Sequence, residues 1–288
     1  MNIFICGLGL IGGSIAKAVK AHTFHTVIGC DRDDVVCRAA VAEGAIDRAG
    51  SADDLASCDL VLVALYPDAA AAFVADNLSK FKPGAILVDT RGITAEVAAK
   101  IAATVRGSGI RYIGGHPMAG TERSGFENSF GDLFAGASMI LCPEYCDDEK
   151  ALKTGSDFFL EIGFGRITLS SCAHHDEVIA FTSQLAHVVS SAYIHGRLST
   201  EYSGFSAGSF ADMTRVARLS ADMWTELFFE NGANLSDAIG ELIDNLQKYK
   251  TALDTGDRAA MHTLLAEGNA RKIESEKLST PKEGTKTC

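Results

Sequence analysis

The feature that most constrains this chain is the run Gly7-Leu8-Gly9-Leu10-Ile11-Gly12. It follows directly on a short apolar stretch, Asn2-Ile3-Phe4-Ile5-Cys6, and opens a segment with helical periodicity over 10–20. Glycine at the first position permits a tight strand-to-helix turn. At the second it lets the backbone approach a pyrophosphate, and at the third it lets helix and strand pack closely. The helix that follows presents free N–H groups and a partial positive charge to the phosphates. Gly7, Leu8, Gly9, Leu10, Ile11 and Gly12 are therefore the expected phosphate cradle. A second strand over 26–31 ends on Asp31, about 20 residues beyond the fingerprint, where an acid hydrogen-bonds both ribose hydroxyls and repels a 2′-phosphate. NAD is the expected cofactor, and Arg32 beside Asp31 is the residue that could instead receive the phosphate of NADP.

Short apolar runs at 59–65, 85–89 and 110–113 then alternate with helical patterns at 34–43, 68–79 and 94–106. Such alternation predicts βαβ units and a doubly wound parallel sheet. After about residue 170 strand-like runs stop, and helical patterns occupy 174–196, 206–230, 232–254 and 257–274. The expected architecture is a Rossmann-type α/β domain over 1–170 and an all-α domain over 171–274. Residues 275–288 are polar, aperiodic and contain Pro281, and are expected to form a disordered tail.

Composition bounds the partners. A net charge of −11 argues against nucleic acid and anionic membrane. The eight cysteines form no CxxC pair and match no common zinc spacing, so reduced structural thiols and no metal are expected. No apolar run is long enough to span a bilayer, and the N-terminus does not read as a signal peptide, so the cytoplasm is the expected location.

In a doubly wound sheet, chemistry is expected at the loops beyond the strands' carboxyl ends. His116, in Gly114-Gly115-His116-Pro117-Met118-Ala119-Gly120, is read as lying on such a loop, past a strand ending near Ile113. Pro117 biases His116 toward an extended conformation. A neutral histidine there can accept a proton from a substrate hydroxyl while hydride leaves the same carbon; the alternative is a turn histidine bonded to local backbone. Further on, Ser183, His187 and Ser191 share one helical face, beside Gln184, in a segment that is otherwise apolar or small. Such a polar stripe needs partners in the protein or in a ligand cavity.

The stretches Gly114–Gly125, His174–Ala192 and Phe210–Gly232 together resemble the prephenate dehydrogenase family, in the expected order behind the fingerprint, over nearly the whole chain apart from the tail. The resemblance implies NAD(P)-dependent oxidative decarboxylation of prephenate to 4-hydroxyphenylpyruvate, a homodimer formed through the helical domain, and His116 as the group that takes the hydroxyl proton. It assigns His187 to the substrate pocket and Arg215 to a substrate carboxylate, with Thr121 and Gln184 as further candidate contacts. Arg218 is read as a second contact or a surface charge, and Glu122 and Asp212 as acids that hold arginines. His175, in His174-His175-Asp176, is read as helix capping.

The chain departs from the family in one place that bears on the base. Gly92 stands where many members carry a serine, so a hydroxyl that would orient the histidine or the substrate is missing unless Thr90, Thr94 or Thr121 replaces it. Arogenate differs from prephenate only in bearing an amino group where prephenate has a keto group, and it is the alternative substrate. A β-hydroxyacid dehydrogenase, expected to use a lysine from the helical domain, is disfavoured because 174–232 contains no lysine. A non-catalytic NAD-binding module is the remaining alternative.

Overall fold

The computed structural model describes residues 1–90, 92, 95–121 and 123–279. Arg91, Thr94, Glu122 and the end of the tail lie outside them. The chain divides into two compact units, Met1–Asn231 and Gly232–Cys288.

The first unit begins with β1 (Asn2–Cys6), α1 (Leu10–His22), β2 (Thr26–Cys30), α2 (Asp34–Ala42) and the short β3 (Arg48–Ala49). Next come β4 (Leu60–Val63), α3 (Pro67–Asn77), β5 (Ile86–Asp89), α4 (Ala95–Val105) and β6 (Arg111–Pro117), followed by β7 (Ser138–Cys142), α5 (Glu149–Glu161) and β8 (Arg166–Leu169). The strands form one sheet in the order β3-β2-β1-β4-β5-β6-β7-β8. The first six named by that order are mutually parallel, and β7 joins β6 antiparallel with β8 parallel to β7.

Alternation along β1 shows how the sequence winds helices on both faces. Ile3 and Ile5 enter a core with Ile15 and Val19 of α1, Ala40 of α2 and Phe158 and Phe159 of α5. Phe4 and Cys6 point the other way, into a core with Ala70 and Val74 of α3 and Ala98 and Ile101 of α4. Each fully buried isoleucine or phenylalanine there contributes about 1.5–3 kcal/mol by leaving water. The cysteines among the described residues are free.

The structure corrects the sequence reading at several points. β7, α5 and β8 fill a region that shows no clear periodicity, and β7 makes the sheet mixed. Because β7 pairs with residues 114–117, with His116 opposite Ile140, β6 runs to Pro117 and His116 lies on a strand instead of a loop. The helix expected over 174–196 is α6 (Cys172–Ile179), a π turn at 180–184 and α7 (Leu185–Ile194). The helix expected over 206–230 breaks into α8 (Gly208–Thr214), a 3₁₀ turn at 215–217 and α9 (Ala221–Glu230). The break lies at Arg218, whose backbone is extended (φ −83°, ψ 98°).

The second unit is a helical pair, α10 (Gly232–Asp254) and α11 (Arg258–Ser279). Gly256, at φ +67°, turns the chain between them, and the Tyr249 hydroxyl donates to the Leu264 carbonyl. Residues 275–279, expected in the tail, continue α11, supported by the Lys272–Glu276 ion pair one turn apart. No helix among the described residues is long and apolar enough to cross a membrane.

Candidate active site

Strand register sets the site. Cys30, Cys6, Val63, Asp89 and Gly114 form one row across β2, β1, β4, β5 and β6, so Asp31, Gly7, Thr90 and Gly115 follow at one carboxyl edge. His116 stands two residues beyond that row, on the same edge as the fingerprint.

The fingerprint is built for a dinucleotide. Gly7 has φ +89°, and its N–H donates to the Cys30 carbonyl at 2.8 Å. A Cβ on Gly12 would lie 1.9 Å from the Gly7 carbonyl oxygen, whereas the space where Gly9 would carry one is open to 4 Å. Gly9 is also the N-cap of α1 and offers no side chain to its free N–H groups. Asp31 accepts from the Leu8 N–H at 2.8 Å and from the Asp33 N–H at 3.1 Å. Both bonds fix the carboxyl group at the end of β2, where a carboxylate repels a 2′-phosphate. The open backbone over Gly9 and the anion at Asp31 fit NAD, while Arg32 is exposed beside them.

The second half of the site arrives on α6. Ser171 caps this helix by accepting from the His174 N–H, and the Glu144 carboxylate accepts from the Cys172 N–H. His175 is thereby carried to His116, with its Nε2 2.8 Å from His116 Nδ1 and its own Nδ1 2.9 Å from Asp176 Oδ1. The other oxygen of Asp176 accepts from the Ala95 N–H at 2.7 Å, tying down the first turn of α4. Asn231, at the end of α9, donates to the Asp176 carbonyl and to Gln184 Oε1, and Gln184 donates to the Leu227 carbonyl. His175, Asp176, Gln184 and Asn231 are all buried. A cavity of about 150 Å³ opens among Gly92, His116, His175, Asp176, Ile179, Ser183, Gln184, Trp224, Leu227, Glu230 and Asn231.

Histidine chemistry follows from these partners. Burial, aided by the neighbouring His175 imidazole, pushes His116 from 6.5 down to about 3, so it is neutral at physiological pH and able to accept a proton. If His116 is the base, the acid limb of kcat/KM should lie well below the range of free imidazole; a limb at about 6.5 would contradict this. Stability has the same sign. Between these values the unfolded chain binds a proton at His116 that the folded chain does not. Stability should therefore fall by up to about 1.4 kcal/mol per pH unit as pH drops through this window, readable in denaturant titrations.

The expected site residues separate. Gln184 lines the cavity, with both ends of its amide engaged by protein. His187 donates from Nδ1 to the Ser183 carbonyl at 2.9 Å and stacks on Trp224 at 3.8 Å, so it adjoins the cavity through two of its lining residues. Arg215 is exposed in the 3₁₀ turn that packs on α7 and is not among the lining residues. Arg218 and Asp212 are also exposed.

Of the two expected threonines among the described residues, neither is hydrogen-bonded to His116. Thr121 exchanges hydrogen bonds with the Arg123 backbone, and Thr90 donates to the Val63 carbonyl. The group that meets His116 is His175, read from the sequence as a helix cap, a task that Ser171 performs instead. Trp224, Leu227, Glu230 and Asn231 were not singled out as site residues by the sequence. For Asn231 the available signal was its place at a helix end before Gly232.

Gly92 has its own explanation. It sits at φ +85°, and a Cβ would lie 3.3 Å from both Cε1 and Nε2 of His116. Gly92→Ser should therefore destabilise the fold by about 1–2 kcal/mol from backbone strain and lower kcat by crowding the imidazole. A variant with wild-type melting temperature and kcat would contradict both effects.

A dinucleotide cradle and an unprotonated histidine on one carboxyl edge define a nicotinamide-dependent dehydrogenase. The comparisons with known proteins give the family. The description "Prephenate dehydrogenase, nucleotide-binding domain" matches residues 15–168, and "Prephenate dehydrogenase, dimerization domain" matches 171–267. The chain is 33% identical over 266 residues to a cyclohexadienyl dehydrogenase of Zymomonas mobilis, covering 89% of each protein. It is 30% identical over 264 residues to a prephenate dehydrogenase of Bacillus subtilis, covering 89% of this chain and 71% of that one. The crystal structure of prephenate dehydrogenase from Aquifex aeolicus in complex with hydroxyphenyl propionate and NAD+ superposes with a TM-score of 0.81 at 26% identity, over 96% of this chain and 98% of that one. The chain belongs to the prephenate dehydrogenase family and is a dehydrogenase.

Proposed function

We propose that this protein catalyses the NAD-dependent oxidative decarboxylation of prephenate to 4-hydroxyphenylpyruvate. The observation that carries the reading is the neutral imidazole of His116 in a cavity beyond the carboxyl edge that also bears the fingerprint. Bound NAD supplies the acceptor for the hydride. Gly7 to Gly12 would hold its pyrophosphate through backbone N–H groups at the start of α1, and Asp31 would take the ribose hydroxyls. His116 Nε2 takes the proton of the substrate hydroxyl. The apolar walls of Ile179, Trp224 and Leu227 limit the water that competes for that imidazole.

His187 and Arg215 are proposed as substrate contacts, a guanidinium fork being suited to a carboxylate. Arg215→Ala should raise KM for the substrate with little change in kcat; an unchanged KM would remove Arg215 from binding. The functional division of the chain is proposed near residue 170, in line with the two matched domains. A cytoplasmic homodimer is proposed as well, supported by the description of the second domain and by the exposed Ile243, Leu246, Leu253 and Leu265 on the helical pair.

Arogenate is the second reading, favoured by the similarity to a cyclohexadienyl dehydrogenase. Steady-state assays of the purified protein with prephenate and with arogenate, each with NAD and with NADP, test both. Prephenate with NAD should give the highest kcat/KM. No reduced cofactor in any combination would overturn the enzyme reading, and preference for arogenate would install the alternative.

A further inference from the structure

We propose that His175 and Asp176 are positioning residues that hold His116 in the one tautomer able to act as a base. The proposal deepens the functional reading above and rests on His116 being the proton acceptor.

Hydrogen-bond polarity along the chain Asp176–His175–His116 carries the inference. Asp176 Oδ2 is committed to the Ala95 N–H, which leaves Oδ1 to face His175 Nδ1 at 2.9 Å. An ionised carboxylate only accepts, so the proton of His175 sits on Nδ1. We take His175 to carry this one ring proton, so that its bare Nε2 faces His116 Nδ1 at 2.8 Å. Two bare nitrogens cannot face each other at that distance, so His116 is protonated on Nδ1 and its Nε2 is the free lone pair. Nε2, with Cε1, is also the edge of the ring that faces Gly92, which lines the cavity with it.

When the substrate hydroxyl gives its proton to Nε2, His116 becomes an imidazolium and keeps its Nδ1–H on His175. No proton has to move along the chain to Asp176. The same contact fixes the ring, whose plane stands at 63° to that of His175. A pair made only for packing would be cheaper if apolar, because buried polar groups are costly unless each finds its partner. Here His175 is 3% and Asp176 7% exposed, and their polar atoms connect in series to one ring that opens on the cavity. This arrangement also accounts for the glycine at position 92, since the base is held from its Nδ1 side and requires no hydroxyl at its Nε2 side.

The test is Asp176→Asn. The Ala95 N–H requires the amide oxygen, so the new NH₂ group faces His175 Nδ1, which must then accept. The proton of His175 moves to Nε2, His116 Nδ1 becomes the acceptor, and the proton of His116 is forced onto Nε2, blocking the base. We expect kcat to fall roughly 10²-fold, by analogy with a triad histidine placed in the wrong tautomer, with KM and NAD affinity unchanged.

Imidazole ¹⁵N NMR reads the tautomer directly, with the His116 signals assigned by their loss in His116→Asn. Wild-type protein should show a protonated Nδ1 and a bare Nε2, and Asp176→Asn the reverse. The wild-type spectrum decides the matter even if the variant does not fold. A proton on Nε2 in the wild type, or loss of activity in a folded variant whose tautomer is unchanged, would overturn the proposal. So would wild-type turnover by Asp176→Asn while His116→Asn is inactive. Wild-type turnover by His116→Asn would instead overturn the functional reading itself.

Discussion

Replacing His116 by Asn should lower kcat by about 10²–10⁴-fold, the range associated with loss of a positioned general base. Asn is the informative choice because its amide can still meet His175 near the Nδ1 position while nothing remains at Nε2. The strand pairing of residue 116 with Ile140 is made through the backbone and should survive. KM for the substrate and affinity for NAD should change little, because the cradle at Gly7 to Gly12 lies on other elements. Stability at mildly acid pH should rise relative to wild type, since the replacement removes a histidine that the folded chain keeps unprotonated. Near-wild-type kcat would return His116 to the role of a strand residue that happens to face a cavity.

Gly12→Val should cripple cofactor binding. Even the Cβ of such a residue would lie 1.9 Å from the Gly7 carbonyl oxygen and 3.2 Å from the Ala64 side chain. Gly7 cannot simply withdraw, because it is held at φ +89° and its own Cβ position is already 2.6 Å from the Ala64 carbonyl oxygen. The turn must open, and the N-terminus of α1 moves away from the place where phosphates bind. Overpacking of this kind costs about 1–3 kcal/mol and occasionally more. With the added loss of phosphate contacts, NAD affinity should weaken by about a hundredfold or more. Calorimetric titration with NAD measures this, and unchanged affinity would place the dinucleotide elsewhere.

The parts of the fold that could be read from the sequence are those with local causes. The fingerprint, the acid at the end of β2 and the alternation of short apolar runs with helices all follow from nearest-neighbour geometry, and these elements fall within a few residues of expectation. What escaped depends on neighbours distant in sequence. Ser138-Met139-Ile140-Leu141-Cys142 becomes a strand by pairing with Gly114–Pro117, and that pairing extends β6 through His116. The π turn at 180–184 interrupts the helix expected over 174–196 and carries both Ser183 and Gln184, which line the cavity.

The same distinction applies to the site. His116 could be singled out as a candidate because a histidine beyond a carboxyl edge carries its own chemical argument. His175 was not, because adjacency to Asp176 near a helix start looks like capping, whereas its partner is 59 residues away. Gly92 reads in sequence as a missing hydroxyl. In the fold it is the residue that leaves room for the imidazole.

The most direct test of the account is the stoichiometry of a single reaction: wild-type protein with prephenate and NAD, measuring reduced cofactor and CO₂ together. The account predicts equal amounts of both, with both lost in His116→Asn. Reduced cofactor without CO₂, or neither product from the wild type, would contradict it.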